Sequence, residues 1–266
     1  MLTHLSWLGT QLPLAGMSGL SIGFLLGLVG GGGGILAVPL LLYVVKVNDP
    51  HLAIGTAALA VASTALINLA GYARAGLVRW RIASAFAVAG VAGAFAGSTL
   101  ALLIDGQALM LFLAVLMLCV AALMLGELRP SHAQHQPSAN ASSSTQFATA
   151  GAGLAIGGVS GFFGIGGGFL IVPALHFITR LSTLEAIASS LLSVAAFGAT
   201  TAVNYAIVGK ISVPLSLALV GGGIIGGTLG RQAAKALARK KGVLNALFAA
   251  LLVLVAGYVA YRSNAG

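Results

Sequence analysis

The chain has 266 residues, 59% hydrophobic and only 6% charged, with a mean hydropathy of +1.05. A water-soluble domain carries about 25% charged residues, so composition excludes one, and apolar windows that run on without alternating exclude a transmembrane β-barrel. The net charge of +9 would suggest nucleic acid in a soluble chain, but these bases lie in short loops between apolar stretches, where orientation signals belong, and no nucleic-acid partner is expected.

In chain order, the N-terminus shows no basic region and no cleavage site, so no removable signal peptide is expected. A first apolar stretch, 12–29, breaks in GLVGGGGGILAVP (27–39) and resumes over 35–46. Asp49-Pro50 reads as a helix N-cap with proline in the first turn. Three windows long enough to cross a bilayer follow, at 52–73, 82–104 and 107–126. The first carries Thr56, Ser63, Thr64, Asn68 and Tyr72, and the second a ladder of Gly90, Gly93 and Gly97. Residues 127–146, ELRPSHAQHQPSANASSSTQ, form a solvated linker.

Beyond the linker the same order returns. Segments 147–161 and 166–179 flank a second break, GFFGIGGGFLIVP (161–173), 134 positions after the first. Ser182 and Glu185 have capping-box spacing. Windows 186–208, 212–230 and 243–261 complete the chain. They hold Ser189, Ser190, Ser193, Thr200, Thr201, Asn204 and Tyr205, and then a second ladder of Gly223, Gly226 and Gly230. At an offset of 133, Tyr72-Ala73 and Gly76 match Tyr205-Ala206 and Gly209. The expected organisation is a first membrane repeat over 1–126, a cytoplasmic linker over 127–146 and a second repeat over 147–266.

Charge placement sets the expected relation of the repeats. If each crosses the membrane an odd number of times, ten of the thirteen Lys and Arg share one side, and Lys46, Lys210 and Arg262 take the other. Even crossings split them seven against six. The positive-inside rule prefers the first arrangement, which makes the repeats inverted. Each glycine break must then be a hairpin, either re-entrant or a tilted double crossing. Its legs look short for comfortable spans, so a re-entrant form is favoured: six full spans plus two glycine-tipped hairpins. The fold expected is an all-α polytopic membrane protein of two inverted repeats, each a glycine-tipped broken hairpin plus three transmembrane helices. Both termini would be external.

Non-helical backbone at membrane depth survives only when buried in protein or lining a wet cavity. A helix restarting at about Ile35 and Phe169 would present N–H groups without intrahelical partners, at the positive end of its dipole. Glycines leave those groups open, and such termini bind anions. The expected substrate-binding set is therefore Gly32, Gly33, Gly34, Gly166, Gly167 and Gly168. Thr56, Ser63, Asn68, Tyr72, Ser189, Ser190, Asn204 and Tyr205 on the next helices are further candidates, equally suited to interhelical bonding. The Gly90 and Gly223 ladders read as helix packing. No strand precedes the glycines and no Lys-Ser/Thr follows them, which argues against a nucleotide phosphate loop. No Asp or Glu falls inside a span, so acid-mediated proton coupling is not expected.

The doubled G-x-GGG-x4-P pattern, GGGGGILAVP at 30–39 and GIGGGFLIVP at 164–173, resembles the sulfite exporter TauE/SafE family of membrane permeases. So do Tyr-Ala-x-x-Gly at 72–76 and 205–209 and the ladders after them. The resemblance implies export of a small sulfur-containing anion, sulfite or an organosulfonate such as sulfoacetate, from a prokaryotic inner membrane. The alternatives are an importer of sulfate-like or carboxylate anions and a non-transporting membrane scaffold or partner subunit. The expected partners are a small anionic substrate and the lipid bilayer, and homo-oligomerisation is compatible with the sequence. No nucleophile–base pair or metal cluster stands out, so neither enzyme activity nor a catalytic residue, metal or cofactor is expected.

Overall fold

The computed structural model describes residues 2–126, 143–179 and 181–237, and every regular element among them is helical. Helix α1 (Leu2–Val29) stops at Gly30, a 3-10 turn covers Gly31–Leu36, and α2 (Ala37–Pro39) leads into a π-helical turn at Leu40–Val44. Then come α3 (Pro50–Arg74), α4 (Trp80–Leu102) and α5 (Gly106–Gly126). The later part holds α6 (Ser143–Phe163), α7 (Gly168–Thr179), α8 (Thr183–Ile207) and α9 (Val213–Leu237). Five segments are long and apolar enough to cross a membrane: Gln11–Val29, Pro50–Arg74, Trp80–Leu102, Leu184–Ile207 and Val213–Ala234. The window at 107–126 coincides with α5. The window at 243–261, most of the linker, Arg180 and the bases at 239–241 lie outside the described residues.

Local signals act where the sequence puts them. The Asp49 carboxylate accepts from the His51 and Leu52 N–H groups at 2.9 and 3.4 Å, with Pro50 in the first turn of α3. Ser182 and Glu185 close a reciprocal capping box at the start of α8. Pro39 has no N–H to donate, and the turn after it widens, Val45 N–H reaching Leu40 O at 3.0 Å.

One expectation changes. The leg before the first break is not short: α1 has 28 residues, about 42 Å at 1.5 Å per residue. Polar residues such as Thr10 and Gln11 end a hydropathy window, but they do not end a helix. The first hairpin therefore has a leg long enough to cross and a short return over Gly31–Val44. Four of the six expected spans recur among the five candidates, and α1 is the fifth, so the helix lengths do not favour a purely re-entrant first hairpin.

Glycine decides which helices touch. Gly19, Gly23 and Gly27 of α1 lie against Leu219, Gly223 and Gly227 of α9. Gly153, Gly157 and Gly161 of α6 lie against Phe86, Gly90 and Ala94 of α4. In both seams an added Cβ would run into the opposite backbone, the close approach that small residues permit in a membrane. The ladders expected to pack helices do so. The pairings are reciprocal: α1 rests on α9 as α6 rests on α4, α3 on α9 as α8 on α4, and α3 packs on α8.

The register of these contacts gives chain directions. Ascending residues of α1 meet ascending residues of α9, and α6 and α4 likewise run parallel. Thr56 meets Ser212 while Gly71 meets Arg231, so α3 is parallel to α9. Arg79 meets Ser189 while Ser98 meets Asn204, so α4 is parallel to α8. Gly55 faces Tyr205 while Gly198 faces Ala58 and Ala62, so α3 and α8 are antiparallel. Helices α1, α3 and α9 run one way, and α4, α6 and α8 the other.

Candidate functional site

Each break turns on one glycine. Gly30 and Gly164 take φ of +78° and +65°, a region that only glycine enters without strain. Gly30 lies beside Ile187 and Ser190 of α8, and Gly164 beside Ile54 of α3. From these turns the two broken segments converge. A Cβ on Gly34 would overlap the Ile165 carbonyl of the other break and lie 3.4 Å from Val61 Cγ1. A Cβ on Gly166 would lie 2.8 Å from Val194 Cγ1 and 3.2 Å from the same Val61 atom. Val61 is halfway along α3 and Val194 near the middle of α8, so the breaks meet halfway along the antiparallel pair.

The two tips differ in detail. The first glycines are wound into the 3-10 turn, Ala37 N–H closing on Gly34 O, and the α-helix begins at Ala37 rather than near Ile35. Gly32, Gly33 and Gly34 are buried there, and Gly33 is pressed on the Ile22 carbonyl and Leu26 amide of α1. In the second tip Gly166 and Gly167 take φ of +70° and +65°, and α7 starts at Gly168. The carbonyl of Gly167 accepts from Leu170 and Ile171 N–H at 2.9 and 3.1 Å.

The other candidates divide by partner. Thr56 Oγ1 accepts from Ser212 N–H at 3.0 Å, tying α3 to α9. Tyr72 OH donates to Gly27 O at 2.7 Å, tying α3 to α1. Ser189 Oγ accepts from Arg79 N–H at 3.0 Å, and Asn204 Nδ2 donates to Ser98 Oγ at 2.7 Å and Thr99 Oγ1 at 2.9 Å. Ser63 and Asn68 bond back to the carbonyls of Leu59 and Thr64 on their own helix. Ser190 also bonds back, to Ile187 O, yet its Oγ lies beside Gly30. Tyr205 is fully buried and its hydroxyl has no partner.

The family described as sulfite exporter TauE/SafE matches residues 15–259. The chain belongs to the TauE/SafE family. Two relatives from strains of Xylella fastidiosa, each named a probable membrane transporter protein, are 48% identical over 248 and 247 residues, covering 92% of this chain and 94% of theirs. The probable membrane transporter protein YunE of Bacillus subtilis is 30% identical over 231 residues, 80% of this chain and 84% of that one. No solved structure matches. This TauE/SafE chain is a multi-pass membrane transporter.

The sequence reading missed Ser160. It is fully buried on α6 beside Gly167, and its Oγ has no hydrogen-bond partner. A buried polar group without a partner costs about 1–3 kcal/mol, so such a hydroxyl is expensive to keep idle. Its only signal was a lone polar residue in GGVSGFF, where the first copy has Leu26. Ser193 on α8 is likewise buried and unpartnered.

The ends of the α3–α8 pair carry charge. At one, Lys210 Nζ bonds Asp49 Oδ2 at 2.7 Å; at the other, Arg79 Nε bonds Glu185 Oε1 at 2.8 Å. Two of the chain's four acidic residues are thus spent joining its earlier part to its later part. Burial pushes the Asp49 carboxyl up, but the Lys210 hydrogen bond and the Leu52 and His51 amides outweigh it and hold it below its ordinary 3.8.

Proposed function

We propose that this transporter exports a small sulfur-containing oxyanion, sulfite or an organosulfonate such as sulfoacetate, through a central site between two inverted halves. The convergence of both glycine breaks at the level of Val61 and Val194 carries this reading. Broken helices paired at mid-depth are how inverted-repeat carriers build a substrate site, and the amide-rich start of a helix favours an anion. The halves run over 1–126 and 147–266, joined by a cytoplasmic linker at 127–146. Inversion is supported by direction: α3 runs against its repeat mate α8, and α1 runs with α9 while α6 runs with α4.

Charge supports the orientation. Lys46 and Lys210 lie near the Asp49 end, whereas Arg74, Arg79, Arg81 and Arg231 gather at the opposite end. The positive-inside rule makes the arginine end cytoplasmic, with both termini outside a prokaryotic inner membrane. An inside-negative potential then drives an anion outward by about 2.3 kcal/mol per charge per 100 mV, so facilitated efflux needs no intramembrane acid.

One observation favours the scaffold alternative. Gly33 and Gly34 are required by packing alone, since a side chain on either would strike backbone, so loss of function on their substitution would prove little. The discriminating measurement is on the intact protein. Sulfite, sulfoacetate, taurine, sulfate and lactate are screened for thermal stabilisation in detergent, because a ligand selective for the folded state raises its apparent stability. Flux of the best binder is then followed in liposomes under an imposed potential. Stabilisation with voltage-driven flux is expected. A folded protein that neither binds nor moves any of the five would be the scaffold, and uptake without efflux would be the importer.

A further inference from the structure

Ser160 sits on α6, four residues before the turn at Gly164, at a position the repeat does not duplicate. The offset that aligns the two glycine motifs puts fully buried Leu26 in its place. Its side chain lies over Gly167: a Cβ on that glycine would be 2.7 Å from Ser160 Cβ and 3.0 Å from Ser160 Oγ. Gly167 is also where α7 is launched, its carbonyl taking the Leu170 and Ile171 N–H groups. That leaves the N–H groups of Gly168 and Phe169, ahead of the first bonded amides, at the positive end of the dipole of this twelve-residue helix. A fully buried hydroxyl without a partner and the first two amides of α7 therefore adjoin at one tip.

We propose that the second hairpin alone forms the headgroup site, where the Ser160 hydroxyl and the amides at the start of α7 donate to a monovalent oxyanion of the sulfonate, carboxylate or bisulfite class. This rests on the anion-transport reading above and narrows it to singly charged ions such as bisulfite and simple sulfonates, which sets aside the sulfite dianion and the doubly charged sulfoacetate. The asymmetry follows from the chain: the first tip has Leu26 for Ser160 and winds its glycines into a 3-10 turn. The first tip packs against the site and walls it. Valence follows from the lining. Besides Ser160, the side chains against Gly164, Gly166 and Gly167 are Ile54, Val61, Ile156 and Val194, none of them charged. Desolvation cost grows with the square of the charge, so a dianion costs about four times a monoanion to bring here. Neutral donors do not recover that difference.

The test uses purified full-length protein in detergent, titrated with methanesulfonate and with sulfate, and followed by thermal stabilisation. Wild-type protein should bind methanesulfonate at least about tenfold more tightly than sulfate. Ser160→Ala should weaken methanesulfonate about 10- to 100-fold, as for loss of a hydrogen bond to a charged group, while leaving the ligand-free melting temperature unchanged or raised, because the hydroxyl it removes is buried without a partner. Ser18→Ala removes another buried, unpartnered hydroxyl, on α1, and should leave affinity unaltered. If Ser160→Ala does not fold, Ser160→Cys, of similar shape and weaker as a donor, should give an intermediate loss. Methanesulfonate affinity unchanged in the folded Ser160 variant, or sulfate bound as tightly as methanesulfonate by wild type, overturns the proposal while the anion reading survives. Folded wild-type protein that binds neither anion overturns both.

Discussion

Tyr72 and Tyr205 occupy equivalent places in the two copies, and both are fully buried. Their hydroxyls do different things: Tyr72 donates to Gly27 O at 2.7 Å, whereas Tyr205 finds no acceptor. Tyr72→Phe should lower stability by about 1 kcal/mol, the net worth of one such bond. Tyr205→Phe should be neutral or stabilising by up to about 1–3 kcal/mol, since it removes a buried hydroxyl without a partner. Melting temperatures of the two variants in one detergent check this, and equal losses would contradict the assigned bonding. Residue type and repeat position made these tyrosines visible in the sequence. Which one is bonded depends on where α1 lies, and nothing near either tyrosine encodes that. The same holds for Thr56 and Asn204, whose partners are 156 and 106 positions away.

Glycine ladders act as elements. Gly157 of α6 abuts the Gly90 backbone, and Gly226 of α9 abuts the Leu20 carbonyl. Adding one methyl at either place should force the seam apart, with a loss of about 1–3 kcal/mol typical of overpacking. Gly151 and Gly221 sit on the same two helices with nothing within 4 Å of an added Cβ. Alanine at these two should be neutral or stabilising by up to about 1 kcal/mol, since glycine is the poorer helix former. Melting curves of the four variants should separate them into two pairs. Glycine spacing in the sequence pointed to packing, and the caps at Asp49 and Ser182 to helix starts. Apolar length misjudged α1, because hydropathy averages composition while a helix continues through polar residues whose backbone still bonds.

At the scale of the molecule, the earlier and later parts of the chain are held by a glycine-lined interface and by one ion pair at each end of the α3–α8 crossing. Both pairs are partly solvent-exposed, so each is worth about 0.2–1 kcal/mol, less at high salt. Asp49 has a carboxyl held below its ordinary 3.8. Its contribution is therefore fully present above that value and fades as pH falls through the lower, folded-state value. Asp49→Asn should lower stability slightly at neutral pH and abolish the difference from wild type in strongly acidic buffer. The exchange Asp49→Lys with Lys210→Asp should recover part of what either reversal alone loses, although the Asp49 helix cap is gone. Melting temperatures across pH and in the double variant decide both expectations.

The sequence alone was enough for a helical membrane protein with a doubled glycine motif, for the caps and for the family, because hydropathy, local bonding and repetition are written within short windows. Only the tertiary structure decided that the two breaks meet, which hydroxyls are already bonded, and that Ser160 stands unpartnered beside the second tip. Those depend on how α3 crosses α8 and how α1 and α6 reach across to α9 and α4. Such long-range packing is settled by shape complementarity between backbones; a window of adjacent residues shows which helix faces can approach closely, but not which partner they meet.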